Sequence, residues 1–117
     1  MSVNNAIQAR QYSDLGPRTM YSNVQRTSDP DVRDLRLSGG LWLRELREKA
    51  GLSQRELADK LNIGYYTFVS QLENGRGRIP PDRYVAWAQA LKMDPKEFTR
   101  ELMRYYDPIT HTILFGE

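Results

Sequence analysis

Tyr66, Thr67, Ser70 and Gln71 fall at i, i+1, i+4 and i+5 of a short amphipathic pattern, opposite an inner stripe of Phe68, Val69 and Leu72. A face of short hydroxyls, an amide and a phenol can exchange hydrogen bonds with the edges of nucleic-acid bases. It carries no net charge, so it does not bind a polyanion indiscriminately. Close by lie Arg76, Arg78 and Arg83, opposed there mainly by Glu73 and Asp82, while Arg55 and Lys60 flank the same face. A basic rim around a neutral reading face is what phosphate positioning requires.

Two helices and a turn must hold these side chains. Ser53 and Glu56 have the S-x-x-E spacing of a capping box, in which the Ser hydroxyl accepts from the Glu56 amide and the Glu carboxylate accepts from the Ser53 amide. Leu52 before the cap can staple onto Leu57. Leu57, Ala58 and Leu61 then share one face, with Gln54, Arg55, Asp59 and Lys60 pointing outward. Asn62-Ile63-Gly64 breaks this helix with residues that tolerate positive φ, and Ile63 can plug the gap between two helices. The second helix is expected from about Tyr65 to Glu73, with Gly75 as its left-handed stop.

The stretches LREKAGLSQRELADKL and VSQLENGRGR resemble the DNA-binding domain of the Cro/repressor-type (lambda-repressor-like, XRE) family, over about residues 41–98. The resemblance implies an all-α fold, a compact five-helix lambda-repressor-like helix-turn-helix domain. It implies that Gln54, opening the second helix, anchors to a DNA phosphate. It points to Tyr66, Thr67, Ser70 and Gln71, with Tyr65 beside them, as base-reading residues, and to Asn74, Arg76 and Arg78 as a loop gripping the backbone. Arg55 joins the phosphate set from its place on the rim. The chain departs from the family between Leu61 and Val69, where it has about one residue more. Tyr65-Tyr66-Thr67-Phe68 there replaces the commoner small or amide residues. Tyr65 is thus open to two readings, core or turn packing and DNA contact.

The 117 residues suit one domain plus an extension, and 39% hydrophobic content can bury a modest core. The formal charge of +2 says little, because 17 basic residues nearly match 15 acidic ones; their distribution carries the argument. Without cysteine there is no disulfide framework and no thiolate zinc site. His111 is the only histidine, too little for a histidine metal site or triad, and is expected at a surface or interface. No catalytic residue, metal ligand or cofactor site is expected, nor any membrane span, secretory signal or membrane partner. The expected location is cytoplasmic, associated with the nucleoid when bound to DNA.

Along the chain, residues 1–28 read as a flexible N-terminal arm rich in Ser, Asn, Gln and Arg. Its basic residues Arg10, Arg18 and Arg26 are of the type that enters a narrow minor groove. Asp29-Pro30 reads as a cap and first-turn proline of a helical pattern through Val32, Leu35 and Arg36 to Leu37, which Ser38-Gly39-Gly40 interrupts. The first helix of the bundle restarts at Leu41 with Trp42, Leu43, Leu46 and Ala50 inward, Gly51 as terminator and a Glu45–Lys49 ion pair outside. After Ile79-Pro80-Pro81 a scaffold helix turns Tyr84, Val85, Trp87, Ala88 and Leu91 inward. Asp94-Pro95 then caps a fifth helix with Phe98, Leu102, Tyr105 and Tyr106 inside. The domain proper is therefore 29–106, with its core at 41–98.

Asp107-Pro108 breaks that helix, and Ile109 to Phe115 alternates as a candidate strand within a short C-terminal extension, residues 107–117. A lone strand is unstable, so it must pair within the chain, pair with its copy in a second subunit, or cover a groove. The extension is thus a candidate dimerisation segment. The functional expectation is a transcriptional regulator, a repressor, that binds double-stranded DNA at an inverted-repeat operator as a homodimer. The alternative is an antitoxin or interaction adaptor that captures a protein partner through the N-terminal arm or C-terminal segment and uses the helix-turn-helix for autoregulation.

Overall fold

A computed structural model describes residues 30–116. The expected arm over 1–28 and the Asp29 cap lie outside the described residues. From Asp34 to Glu117 the chain is a single unit. Among the described residues there are six α-helices and one 3-10 turn, and no strand: α1 (Pro30–Lys49), α2 (Gln54–Lys60), α3 (Thr67–Glu73), the 3-10 turn (Pro81–Arg83), α4 (Tyr84–Ala90), α5 (Pro95–Tyr106) and α6 (Pro108–Phe115). The fold is all-α and lambda-repressor-like.

The first correction concerns α1, which runs unbroken through Ser38-Gly39-Gly40 for 20 residues. Two glycines in a helix interior cost about 1 kcal/mol each relative to alanine; here close packing outweighs that cost. A Cβ on Gly40 would stand 2.3 Å from the carbonyl oxygen of Glu73, and one on Gly39 would stand 2.9 Å from Cβ of Tyr105. The glycines are where α1 lies directly against the end of α3 and the side of α5. Arg36, Gly39, Gly40, Leu43 and Arg47 form its buried stripe at helical spacing. An exposed ion pair on this helix joins Arg44 to Glu48 at 3.3 Å, one residue earlier than the expected Glu45–Lys49 pair.

The second correction is at the C-terminus, where Ile109 to Phe115 is helical, not extended. Asp107 caps α6 by accepting from the Thr110 amide at 3.2 Å, and Pro108 occupies the first turn. His111, expected at a surface or interface, is accordingly buried within the chain, at 1% exposure, with its ring 5.0 Å from that of Phe115. Its neighbours Ile109, Ile113 and Leu114 are exposed.

The core gathers Leu43 of α1, Leu57 and Ala58 of α2, Val69 and Leu72 of α3, Trp87 and Ala88 of α4, and Phe98, Leu102 and Tyr106 of α5, with Leu61, Ile79 and Leu91 from the connections. Trp42 stacks on Phe98 at 5.4 Å and lies 5.7 Å from Tyr105, tying α1 to α5. Val85, expected inside, is exposed, and Tyr84 is only half-buried. The Asp94 cap of α5 forms as expected, its carboxylate accepting from the Glu97 amide at 3.1 Å.

Candidate nucleic-acid interface

The capping box that starts α2 is complete. The Ser53 hydroxyl accepts from the Glu56 amide at 3.0 Å, and the Glu56 carboxylate accepts from the Ser53 amide at 2.8 Å. These bonds to the charged form hold the Glu56 carboxyl below the usual carboxylate range, by the Ser53 backbone bond first and its hydroxyl second. Leu57 and Ala58 turn inward behind the cap. The break after Leu61 uses Asn62 as its left-handed residue (φ 57°), and the Ile63 amide donates to the Ala58 carbonyl at 2.9 Å. Ile63 packs on the core as the plug between the helices.

α3 begins at Thr67, two residues later than expected, with Tyr66 as its cap residue. The chain's extra length between Leu61 and Val69 is thus absorbed before the helix. Tyr65 is 61% exposed and Tyr66 is 37% exposed. Thr67 and Gln71 are exposed, and Ser70 is half-buried. Phe68 sits at the core margin while Val69 and Leu72 are buried. The one acid of α3, Glu73, is turned inward, so its outward side is uncharged.

Gly75 (φ 79°) ends α3, and the Arg76 amide closes the turn on the Gln71 carbonyl at 2.8 Å. Asn74 is exposed, its amide donating to the Ser70 carbonyl at 2.9 Å and approaching the Ser70 hydroxyl at 3.5 Å. Arg76 and Arg78 are both exposed on the loop that follows. Arg78 lies 4.9 Å over the ring of Tyr106, and its charge acts on the Tyr84 hydroxyl, opposing the upward push of burial there. The Ile79 amide donates to the Tyr106 hydroxyl at 3.2 Å, which pins the loop to α5. Burial is the main force holding the Tyr106 hydroxyl above the usual phenol range, opposed by that bond and by the arginines beside it.

The structure unites some of these side chains in ways the spacing did not reveal. Arg55 stacks 4.3 Å over the ring of Tyr66, so a cation from α2 stands beside the start of α3. Gln54 is half-buried and donates to Glu73 at 3.1 Å. Glu73 in turn receives two bonds from Arg47, from Nε at 2.6 Å and from Nη2 at 3.2 Å, while Arg47 Nη1 donates to the Leu52 carbonyl at 2.8 Å. One buried fork therefore links α1, the residue before the α2 cap, α2 and α3. Arg83, read as part of the basic rim, instead donates to the Leu61 carbonyl at the end of α2. Arg36, legible in the sequence only as part of a helical pattern, is buried and donates to the Gly77 carbonyl inside the basic loop at 3.4 Å. Its signal was the spacing to Leu43 and Arg47, visible once the two glycines are taken as helical.

Two short helices locked at a fixed angle, the second with an uncharged polar face outward and an arginine loop at its end, define a helix-turn-helix protein of the DNA-binding class. Residues 43–98 match the family described as helix-turn-helix; this segment is a helix-turn-helix domain of the Cro/repressor-type, XRE kind, which supports a DNA-binding regulator in general. No curated protein matches the chain. Among the described residues no helix is long and apolar enough to cross a membrane.

Proposed function

We propose that the protein is a sequence-specific transcriptional repressor that occludes a promoter by binding an inverted-repeat operator as a homodimer, α3 lying in the major groove of each half-site. The observation that carries this reading is the exposed, uncharged side of α3 ending in the Asn74–Arg78 loop. Tyr66, Thr67, Ser70 and Gln71 read bases, with Tyr65 at the edge. Gln54, Arg55, Asn74, Arg76 and Arg78 hold phosphates. The protein is DNA-associated in the cytoplasm.

Selection of bound duplexes from a random pool, followed by titration at two salt concentrations, tests this reading. Enrichment of an inverted repeat with half-sites about one helical turn apart supports it; equal affinity for every duplex overturns it. Arg76→Ala and Arg78→Ala are expected to weaken binding to all sequences alike, and each should lower the slope of log affinity against log salt by about 0.9. Thr67→Ala and Gln71→Ala are expected to alter preference among bases instead, by about 1–3 kcal/mol for each good contact. The reverse pattern would overturn the division of roles.

The homodimer draws support from α6. Ile109 and Ile113, one turn apart, are 62% and 75% exposed, and Leu114 beside them is 60% exposed. No charged side chain occurs in Pro108–Phe115, so two copies of this face meet without like-charge repulsion. Ile113→Glu is expected to convert the dimer to monomer in sedimentation while leaving helicity intact, and to weaken operator binding more than half-site binding. A wild-type chain that sediments as a monomer would favour the other reading of this apolar stripe, an adaptor or antitoxin surface for a different protein.

A further inference from the structure

We infer that Arg36 and Arg78 form a single two-arginine site for a DNA backbone phosphate, built on the ring of Tyr106 and the carbonyl of Gly77. This rests on the DNA-binding reading and adds to it a residue of α1 that lies before the matched segment. The Arg36 guanidinium lies 5.5 Å from the Tyr106 ring centroid and that of Arg78 lies 4.9 Å from the same centroid. Arg78 is exposed, whereas Arg36 is 5% exposed. A guanidinium has five N–H donors, and among the described residues the hydrogen bond that Arg36 makes is one long contact, 3.4 Å, to Gly77.

The contrast with Arg47 shows what is missing. Arg47 is also buried, and a carboxylate meets it in a two-bond fork. Among the described residues no carboxylate is paired with Arg36; the charge that acts on it is a second cation, Arg78, over the same aromatic ring. Burial first and the Arg78 charge second push the Arg36 guanidinium below its ordinary value. A buried cation facing another cation is costly until an anion arrives. A phosphodiester oxygen met by Arg78 supplies that anion, and its field acts on Arg36 through a poorly screened path.

The packing fixes the position of this charge. Gly75 sits with its Cα so close to α1 that an added Cβ would lie 3.0 Å from the Leu37 amide nitrogen. The loop therefore rides on the α1 backbone one residue past Arg36, and Arg36 enters beneath it at Gly77. The ring that carries both arginines is held by its own hydroxyl on Ile79. α1, the basic loop and α5 are thus brought together at one corner, with two guanidinium groups over one ring.

The test compares wild type with Arg36→Met, which keeps the length of the stem and removes the charge. Where that variant folds poorly, Arg36→Gln keeps a donor for Gly77 and serves instead. Each is titrated with a random-sequence duplex over a series of salt concentrations, at a temperature where circular dichroism shows the chain folded. The expected result is weaker binding to all duplexes and a salt slope reduced by up to about 0.9. An unchanged slope overturns the inference and leaves Arg36 as a brace for the loop, whatever happens to stability. If wild type itself binds duplex without salt dependence, it is the DNA-binding reading that has failed, which separates the two.

Discussion

Gly40→Ala is expected to destabilise the protein by about 2 kcal/mol or more, and to weaken DNA binding about ten- to a hundredfold at temperatures where it is still folded. Helix propensity alone predicts the opposite sign, since alanine in a helix interior is better than glycine by about 1 kcal/mol. The site decides against propensity. The added methyl would stand 2.3 Å from the Glu73 carbonyl oxygen, 2.7 Å from the Glu73 carbonyl carbon and 2.7 Å from the Leu72 carbonyl oxygen. All three are backbone atoms, so no side-chain rotation can relieve the contact, and α1 and the end of α3 must separate by about 1 Å to restore ordinary contact distances. That separation moves the recognition helix relative to the loop and pulls on the Arg47–Glu73 fork. Thermal unfolding and duplex titration measure the two parts. The control is Gly51→Ala, where nothing lies within 4 Å of the added Cβ and the penalty is the left-handed φ of 76° alone. A Gly40→Ala protein more stable than wild type would show that α1 does not lie against α3 as described.

Gly40 also explains why part of the fold was legible and part was not. A helix signal is local where a cap and a period coincide, and Ser53 with Glu56 and Asp94 with Pro95 gave both, so α2 and α5 were readable. Gly39-Gly40 carried two physical meanings, a break and a close approach, and only the partner helix distinguishes them. The C-terminal segment was misread for a related reason. Ile109, Thr110, Thr112 and Ile113 are β-branched and alternate, which favours a strand. Yet Asp107-Pro108 repeats the Asp94-Pro95 cap thirteen residues on, and the cap prevailed. Val85 failed because α4 has seven residues and its inward face is narrow.

The candidate site divides along the same line. The outward residues of α3 were legible because a short amphipathic helix shows its polar face in sequence. The tilt and start of that helix were not, because the extra residue before Val69 could be absorbed in the turn or in the helix. The turn absorbed it, which leaves Tyr65 outside the helix and exposed, and sets Tyr66 as the cap residue under Arg55. Contacts between residues far apart in the chain, Arg36 with Gly77 and Gln54 with Glu73, left no local trace.

The last of these contacts carries the second large effect. Glu73→Ala is expected to cost about 3–5 kcal/mol, a large share of the stability of a small domain, because it strands Arg47 as a buried charge and removes the acceptor of Gln54. Replacing both charges, as Arg47→Met with Glu73→Leu, is expected to recover most of that loss, since apolar pairs of similar volume replace buried ion pairs at little or no cost. Binding is expected not to recover with stability. Gln54 is held at the start of α2 by its 3.1 Å bond to Glu73, and in the double variant nothing fixes its amide, so the phosphate it is proposed to meet is engaged by a freely rotating side chain. Denaturant unfolding and duplex titration of both single variants and the double variant form a cycle whose two halves should disagree: the stability terms compensate and the binding terms do not. Full recovery of affinity together with stability would mean that the fork only holds the helices together. Recovery of stability alone assigns the buried carboxylate a second task, which is to aim Gln54 at the DNA.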